Sequence, residues 1–250
     1  MLGCPFDAVL FDLLTALLDS RTLWNGVAGS EERGGEWRAA YLRRTYEAGR
    51  YRPYETLVAE AAREVGLPPA LAACLTARYD ELKPWPEAHG VLDALRREGL
   101  RLGVVTNCSE QLGATAVFCT RIDFDAVVTA ERICYYKPDP RPYKKALAEL
   151  GTTASRCLFV AGSADDLFGA SKIGLPTYWH DRIGMKPPAN APEPLAYHRT
   201  LHPLLDVLRG EPPSRFPDGS DRSDYDTLPW LDSQVHGRLN LDRVVAPCTR

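Results

Sequence analysis

The first hydrophobic run of the chain, Phe6-Asp7-Ala8-Val9-Leu10-Phe11-Asp12, shows little alternation and ends on a carboxylate. Apolar runs of this kind mark strands buried on both faces, as parallel strands are. From about Arg21 to Leu82 the period changes: Trp37, Tyr41, Leu57, Val58, Ala61, Ala62 and Val65 recur at spacings of three and four, the signature of helices. The turn signals from Gly49 to Pro53 and Gly66-Leu67-Pro68-Pro69 divide this stretch into three or four helices, and Lys83-Pro84-Trp85-Pro86 closes it. Beyond it, helices and apolar runs alternate: helix 87–97, run 100–106, helix 109–120, run 124–129, helix 140–150, run 157–161, helix 164–172 and run 175–179. Gly99, Gly151 and Gly174 follow three of the helices as stop signals.

Alternation of this kind predicts βαβ units around a parallel sheet. The fold class is therefore α/β, a doubly wound, Rossmann-like core made of residues 1–15 and 88–210, with a helical cap subdomain of residues 16–87 inserted after the first strand. Residues 211–250 are poor in apolar side chains and read as an extended C-terminal tail. Leu228, Trp230 and Leu231 are the residues by which the tail would anchor to the body or to a second subunit of a homodimer; its composition equally allows disorder.

Composition narrows the partners. The 250 residues are 45% hydrophobic and carry a formal charge of −3, so there is no basic surplus for nucleic acid and no block of like charge for a membrane surface. No segment resembles a secretory signal, and no apolar run approaches the ~20 residues that span a bilayer, so the expectation is a cytoplasmic protein with a small-molecule substrate. The seven cysteines are scattered and never in a CxxC spacing, which indicates neither a disulfide framework nor a zinc site. The five histidines form no triad with a serine and no HxxxH pair, and they read as ordinary structural residues.

In open α/β sheets ligands collect beyond the carboxyl ends of the strands, and the runs end there on chemistry-bearing residues. The first ends at Asp12, the second at Thr106-Asn107, and the fourth at Ala161-Gly162-Ser163, with Asp165 and Asp166 just beyond. Lys137, after the third run, precedes a helix that Asp139 caps with Pro140 at its first position, and from there it can reach Asp12.

These pieces, Phe11-Asp12-Leu13, Val105-Thr106-Asn107, Lys137-Pro138-Asp139-Pro140-Arg141-Pro142-Tyr143 and Asp166 with Gly169-Ala170, resemble the haloacid dehalogenase superfamily in order and spacing from about residue 6 to 182. Most members of that superfamily are magnesium-dependent phosphatases with a second aspartate two residues after the nucleophile and another four residues before the position of Asp166. Here those positions are Leu14 and Gly162. The branch lacking the second aspartate, the L-2-haloacid dehalogenases, is the more similar one, notably over Tyr136 to Tyr143, Leu158-Phe159-Val160 and Gly174 to Trp179.

The resemblance implies a metal-independent hydrolase that removes halide from a small 2-haloacid through an aspartyl ester. Asp12 is then the nucleophile, and Lys137 keeps it ionised. Asp166 orients Lys137 or the hydrolytic water, and Arg38, on a cap helix with Tyr41 and Leu42, receives the halide. Thr106, Asn107, Leu14, Tyr143 and Ser163 form the substrate shell, and no cofactor is needed. Where that branch has an aromatic residue and then Gly-Thr, this chain has Leu14-Thr15-Ala16; where it has Ser-x-Asn and a tryptophan, this chain has Ala161, Ser163 and Asp165. These departures keep three alternatives open. One is C–N cleavage or ring opening of a strained cyclic amino acid by the same nucleophile; the second is an atypical phosphatase using Mg2+; the third is a binding or scaffold protein without turnover.

Overall fold

The computed structural model describes residues 4–210. Strand β1 (Ala8–Asp12) is buried at every position. Four helices follow it, α1 (Ser20–Ala28), α2 (Glu31–Ala48), α3 (Tyr54–Glu64) and α4 (Leu71–Ala77), and then α5 (Ala88–Arg97) leads into β2 (Arg101–Thr106). The chain continues through α6 (Glu110–Thr120), β3 (Ala126–Thr129), α7 (Ala130–Ile133), α8 (Pro140–Glu149), β4 (Cys157–Ala161) and α9 (Ala164–Ser171). It closes with β5 (Thr177–His180), β6 (Ala196–His198) and α10 (Leu204–Arg209).

Among the described residues the strands form one sheet in the order β3-β2-β1-β4-β5-β6, and every neighbouring pair is parallel. The expected doubly wound class is what forms, because both faces of the strands are apolar and both are covered. Val9, Phe11, Leu102, Val104, Leu158 and Val160 face one cluster, with Val91, Leu95, Leu112 and Leu204 from α5, α6 and α10. Leu10, Val105, Val128, Phe159, Ala161 and Trp179 face the other, with Tyr143, Ala146 and Leu147 of α8 and Leu167 and Ala170 of α9.

Local chemistry fixes where helices begin. Asp19 accepts from Thr22 N at 3.0 Å, Ser109 from Leu112 N at 3.3 Å, Asp139 from Arg141 N at 2.9 Å and Ser163 from Asp165 N at 3.2 Å. Each such cap contributes about 1 kcal/mol and, more to the point here, sets the residue at which a loop turns into a helix beside the crevice. Ser109, rather than Thr106 or Asn107, caps α6, which leaves both of those free of that role.

Backbone hydrogen bonds fix the helical insertion at its base and at the loop between α2 and α3. Its two connecting segments run side by side, with Asp19 N donating to Lys83 O at 2.8 Å and Trp85 N to Leu17 O at 2.9 Å. The loop between α2 and α3 pairs with the segment before Lys137: Tyr136 N donates to Gly49 O at 2.8 Å, and the Tyr136 hydroxyl to Arg52 O at 2.6 Å. Inside the insertion, Trp24, Trp37, Tyr41, Tyr54 and Tyr79 stack edge to face or tilted, with ring centroids 4.7–6.0 Å apart, and they are continuous with one cluster of the sheet core.

The element boundaries agree with the sequence to within a few residues. The pattern misses β6 and α7: β6 is three half-buried residues held by register to β5, and α7 is a single turn capped by Thr129. The final run, expected at 175–179, forms its strand over Thr177–His180. The tail expected at 211–250 lies outside the described residues. No helix among the described residues is long and apolar enough to cross a membrane, and the six cysteines among them are unpaired.

Candidate active site

The strand order reverses at β1, whose neighbours β2 and β4 are wound to opposite sides, and ligand-binding crevices open at such a point. A small cavity, partly open to solvent, lies there between the carboxyl ends of the strands and helices α1–α3. Asp12, Arg38, Thr106, Asn107, Lys137 and Asp166 line it, so residues from separate segments of the chain meet as the motif order implied.

At its floor the ammonium of Lys137 bridges two carboxylates. Lys137 Nζ stands 2.7 Å from Asp12 Oδ1 and 3.1 Å from Asp166 Oδ1, with the side chains 3%, 11% and 5% exposed in that order. The second Asp12 oxygen accepts from the backbone amides of Thr15 (3.1 Å) and Ala16 (3.4 Å). Tyr143 donates its hydroxyl to Asp166 Oδ1 at 2.9 Å, and Gly169 makes room for that ring: a Cβ there would lie 2.6 Å from Tyr143 Cε2. Asn107 pins the lysine from behind, accepting from Lys137 N at 2.7 Å and donating to Lys137 O at 3.2 Å.

Burial alone would favour neutral Lys137, but Asp12 and Asp166 together outweigh it and hold the ammonium above its ordinary range, so the cation persists at neutral pH. Asp166 moves the other way from most paired carboxylates. Burial, helped by the negative charge of Asp12, pushes its carboxyl up to about 6 despite the shared lysine.

The residues present do not fit the magnesium site of the phosphatase branch. A Cβ at Gly162 would stand 2.4 Å from Ala16 N and 2.7 Å from Asp12 Oδ2, so no aspartate can occupy that position while the loop after β1 keeps its path. Leu14, half-buried in the cavity wall, supplies neither a ligand nor a proton two residues after Asp12. Among the described residues no three His, Cys, Asp or Glu side chains gather as a metal-ligand group, and a hard octahedral cation wants several oxygens.

Arg38 reaches the cavity from α2, and its Nη2 donates to Thr15 Oγ1 at 2.6 Å. The solvated alternative fits its neighbours instead: Arg43 and Arg44 pair with Glu64 and Glu60, and Arg33 donates to Gly66 O. Four residues differ from the sequence expectation, Tyr143 among them: expected in the substrate shell, it does not line the cavity and gives its hydroxyl to Asp166. The Asn107 amide is engaged with the Lys137 backbone, which leaves one of its two N–H donors, and Thr106 is fully buried with its hydroxyl donated to Cys108 Sγ (3.3 Å). Asp165 does not line the cavity; it is tied to Ser163, and burial raises its carboxyl.

Tyr46 was missed by the sequence reading, although its signal was there: Arg38, Leu42 and Tyr46 form an i, i+4, i+8 row on α2, and all three line the cavity. Its hydroxyl lies 3.4 Å from Ser163 Oγ. His180 is structural, as expected of the histidines: its Nδ1 bonds Ala16 O at 2.9 Å, and burial lowers its imidazole to about 4, so it stays neutral.

Comparison with known proteins follows the same lines. A family model of haloacid dehalogenase-like hydrolases matches residues 6–174. The chain is 30% identical over 215 residues to (S)-2-haloacid dehalogenase 1 of Pseudomonas sp. (strain CBS-3), covering 81% of this chain and 91% of that protein. It spans about half the length of some other curated relatives: the match to (S)-2-haloacid dehalogenase 4A of Burkholderia cepacia, 32% identical over 115 residues, covers 45% of this chain and 50% of that protein. Among solved structures, the L-2-haloacid dehalogenase RSc1362 superposes with a TM-score of 0.72 at 28% identity, covering 82% of this chain and 99% of that one.

Two outcomes follow from this geometry. Gly162→Ala should force the loop after β1 away from Asp12, costing roughly 1–3 kcal/mol in chemical denaturation, because the added methyl meets backbone that cannot yield cheaply. The second concerns pH. Asp166 titrates higher folded (about 6) than its ordinary 3.8, so the stability it contributes is full below 3.8 and is lost as pH rises through about 6. Asp166→Asn removes that loss, and its stability relative to the unaltered protein should therefore improve between about pH 4 and about pH 7 in paired denaturation curves.

Proposed function

We propose that this chain, which belongs to the haloacid dehalogenase-like hydrolases, displaces halide from a small 2-haloacid through an ester on Asp12 and does so without a metal. The observation that carries the reading is the pairing of a buried, lysine-held carboxylate with a crevice in which Gly162 and Leu14 stand where phosphoryl transfer needs acids. The helical insertion of residues 16–87 is read as the cap that closes over the substrate, and names such as (S)-2-haloacid dehalogenase among the relatives point to the same class of carboxylate.

In the first step an Asp12 oxygen attacks the halogen-bearing carbon, the carbon–halogen bond breaks, and halide leaves with the electron pair toward Arg38. In the second, water adds to the Asp12 ester carbonyl, its proton passes to a carboxylate for which Asp166 is the nearest candidate, and the 2-hydroxy acid departs. Negative charge then develops on the Asp12 carbonyl oxygen. Whichever oxygen stays as the carbonyl already has its donors in place before the reaction begins, the amides of Thr15 and Ala16 if Oδ1 carries the ester and Lys137 if Oδ2 does. An Asp166 carboxyl raised by burial suits a group that must take up a proton near neutral pH.

The test is halide release from L-2-chloropropionate with and without a chelator, followed by one turnover in heavy-oxygen water. Release that survives the chelator, disappears in Asp12→Asn, and gives a first product carrying light oxygen from Asp12 is the expected result. Turnover only of phosphate esters, and only with magnesium, would overturn the assignment.

A further inference from the structure

Thr15 is tied to three parts of the molecule at once. Its amide donates to Asp12 Oδ2 at 3.1 Å, its hydroxyl accepts from Arg38 Nη2 at 2.6 Å, and its carbonyl accepts from Trp85 Nε1 at 2.9 Å. The residue is 5% exposed, and Gly162 closes the space behind it, since a Cβ there would stand 2.7 Å from Thr15 Cβ. The loop carrying these groups is itself held by His180 on Ala16 O. A single buried residue thus links the carboxylate at the floor of the crevice to the cation that enters from α2.

Arg38 needs such an anchor. An arginine side chain gives up about 2 kcal/mol of rotamer freedom when it is fixed, and Arg38 has no carboxylate within 4 Å among the described residues to hold it. A carboxylate partner would fix the guanidinium but neutralise it. A hydroxyl fixes it with one of five N–H groups and leaves both the charge and the remaining donors for an incoming anion.

We propose that Thr15 is a positioning residue that sets Arg38 for the departing halide. This rests on the reading of Arg38 as the group that receives the halide, and it assigns the hydroxyl of this chain's Leu14-Thr15-Ala16 segment a task. Its effect on the chemistry runs through Arg38, so it should grow as the leaving group becomes poorer.

Thr15→Val keeps the shape and removes the hydroxyl, whereas Thr15→Ser keeps the hydroxyl; Thr15→Ala serves if valine is not accommodated. Two readouts apply. Chloride binding, followed by line broadening in chloride NMR, needs no turnover: it should weaken roughly tenfold to a hundredfold in Thr15→Val and stay near the unaltered value in Thr15→Ser. In turnover, kcat should fall more for 2-chloropropionate than for 2-bromopropionate in Thr15→Val, with Thr15→Ser restoring the ratio. Unchanged chloride affinity together with an unchanged chloride-to-bromide ratio in a folded Thr15→Val or Thr15→Ala protein overturns the inference. If the unaltered protein releases no halide from any haloacid, the dehalogenase reading fails, and the chloride titration still decides whether Thr15 holds Arg38.

Discussion

The ammonium of Lys137, buried between Asp12 and Asp166, is the interaction on which the rest of the crevice depends. Bringing three charged groups out of water is costly, and leaving any one unpaired would cost more, so the surrounding structure has to hold all three in register. Parallel pairing of β1 with β2 and β4 sets the depth of Asp12. Ser163 caps α9 so that Asp166 sits in its first turn, and Asn107, just past β2, clamps the Lys137 backbone from both sides. Contributions from β1, β2, the segment after β3 and the end of β4 therefore meet at one nitrogen.

The helical insertion is coupled to the same nitrogen through backbone. The pairing of Tyr136 with Gly49 and Arg52 ties the α2–α3 loop to the residue before Lys137, and the connecting segments at Leu17 and Trp85 border the loop that carries Thr15. Arg38 thus arrives over Asp12 on a helix whose end is fastened to the Lys137 segment.

Much of this was legible in the sequence for a physical reason. A strand buried on both faces has to read as an apolar run, so a carboxylate at its end stands out, and Asp12 did. Asp139-Pro140 announces a helix start by its own local chemistry, and the glycines after helices do the same. Other features depend on contacts between distant segments and leave no local trace. The commitment of Asn107 to a backbone 30 positions away is of this kind; the turning of Thr106 toward Cys108 and the tie of Asp165 to Ser163 are contacts two residues apart, but nothing in the local pattern says which way those side chains turn. Tyr46 is intermediate: its i+8 spacing from Arg38 was readable, but only once the face of α2 that meets the crevice was known.

The pairing of one lysine with two carboxylates has a consequence for the order of events on the proposed route. Displacement moves a negative charge from Asp12 to the halide, from beside Lys137 to beside Arg38, and leaves Asp12 as a neutral ester. A lysine paired with Asp12 alone would then be an uncompensated buried cation, the most expensive arrangement available to it. Asp166, 3.1 Å away, prevents that, and its own carboxyl, raised by burial and by the charge of Asp12, eases once Asp12 is esterified. Asp166 then becomes a weaker base but a more fully ionised one at the step that needs a proton acceptor, while burial still holds its carboxyl up. The same esterification that removes one partner of Lys137 prepares the other for the attack of water.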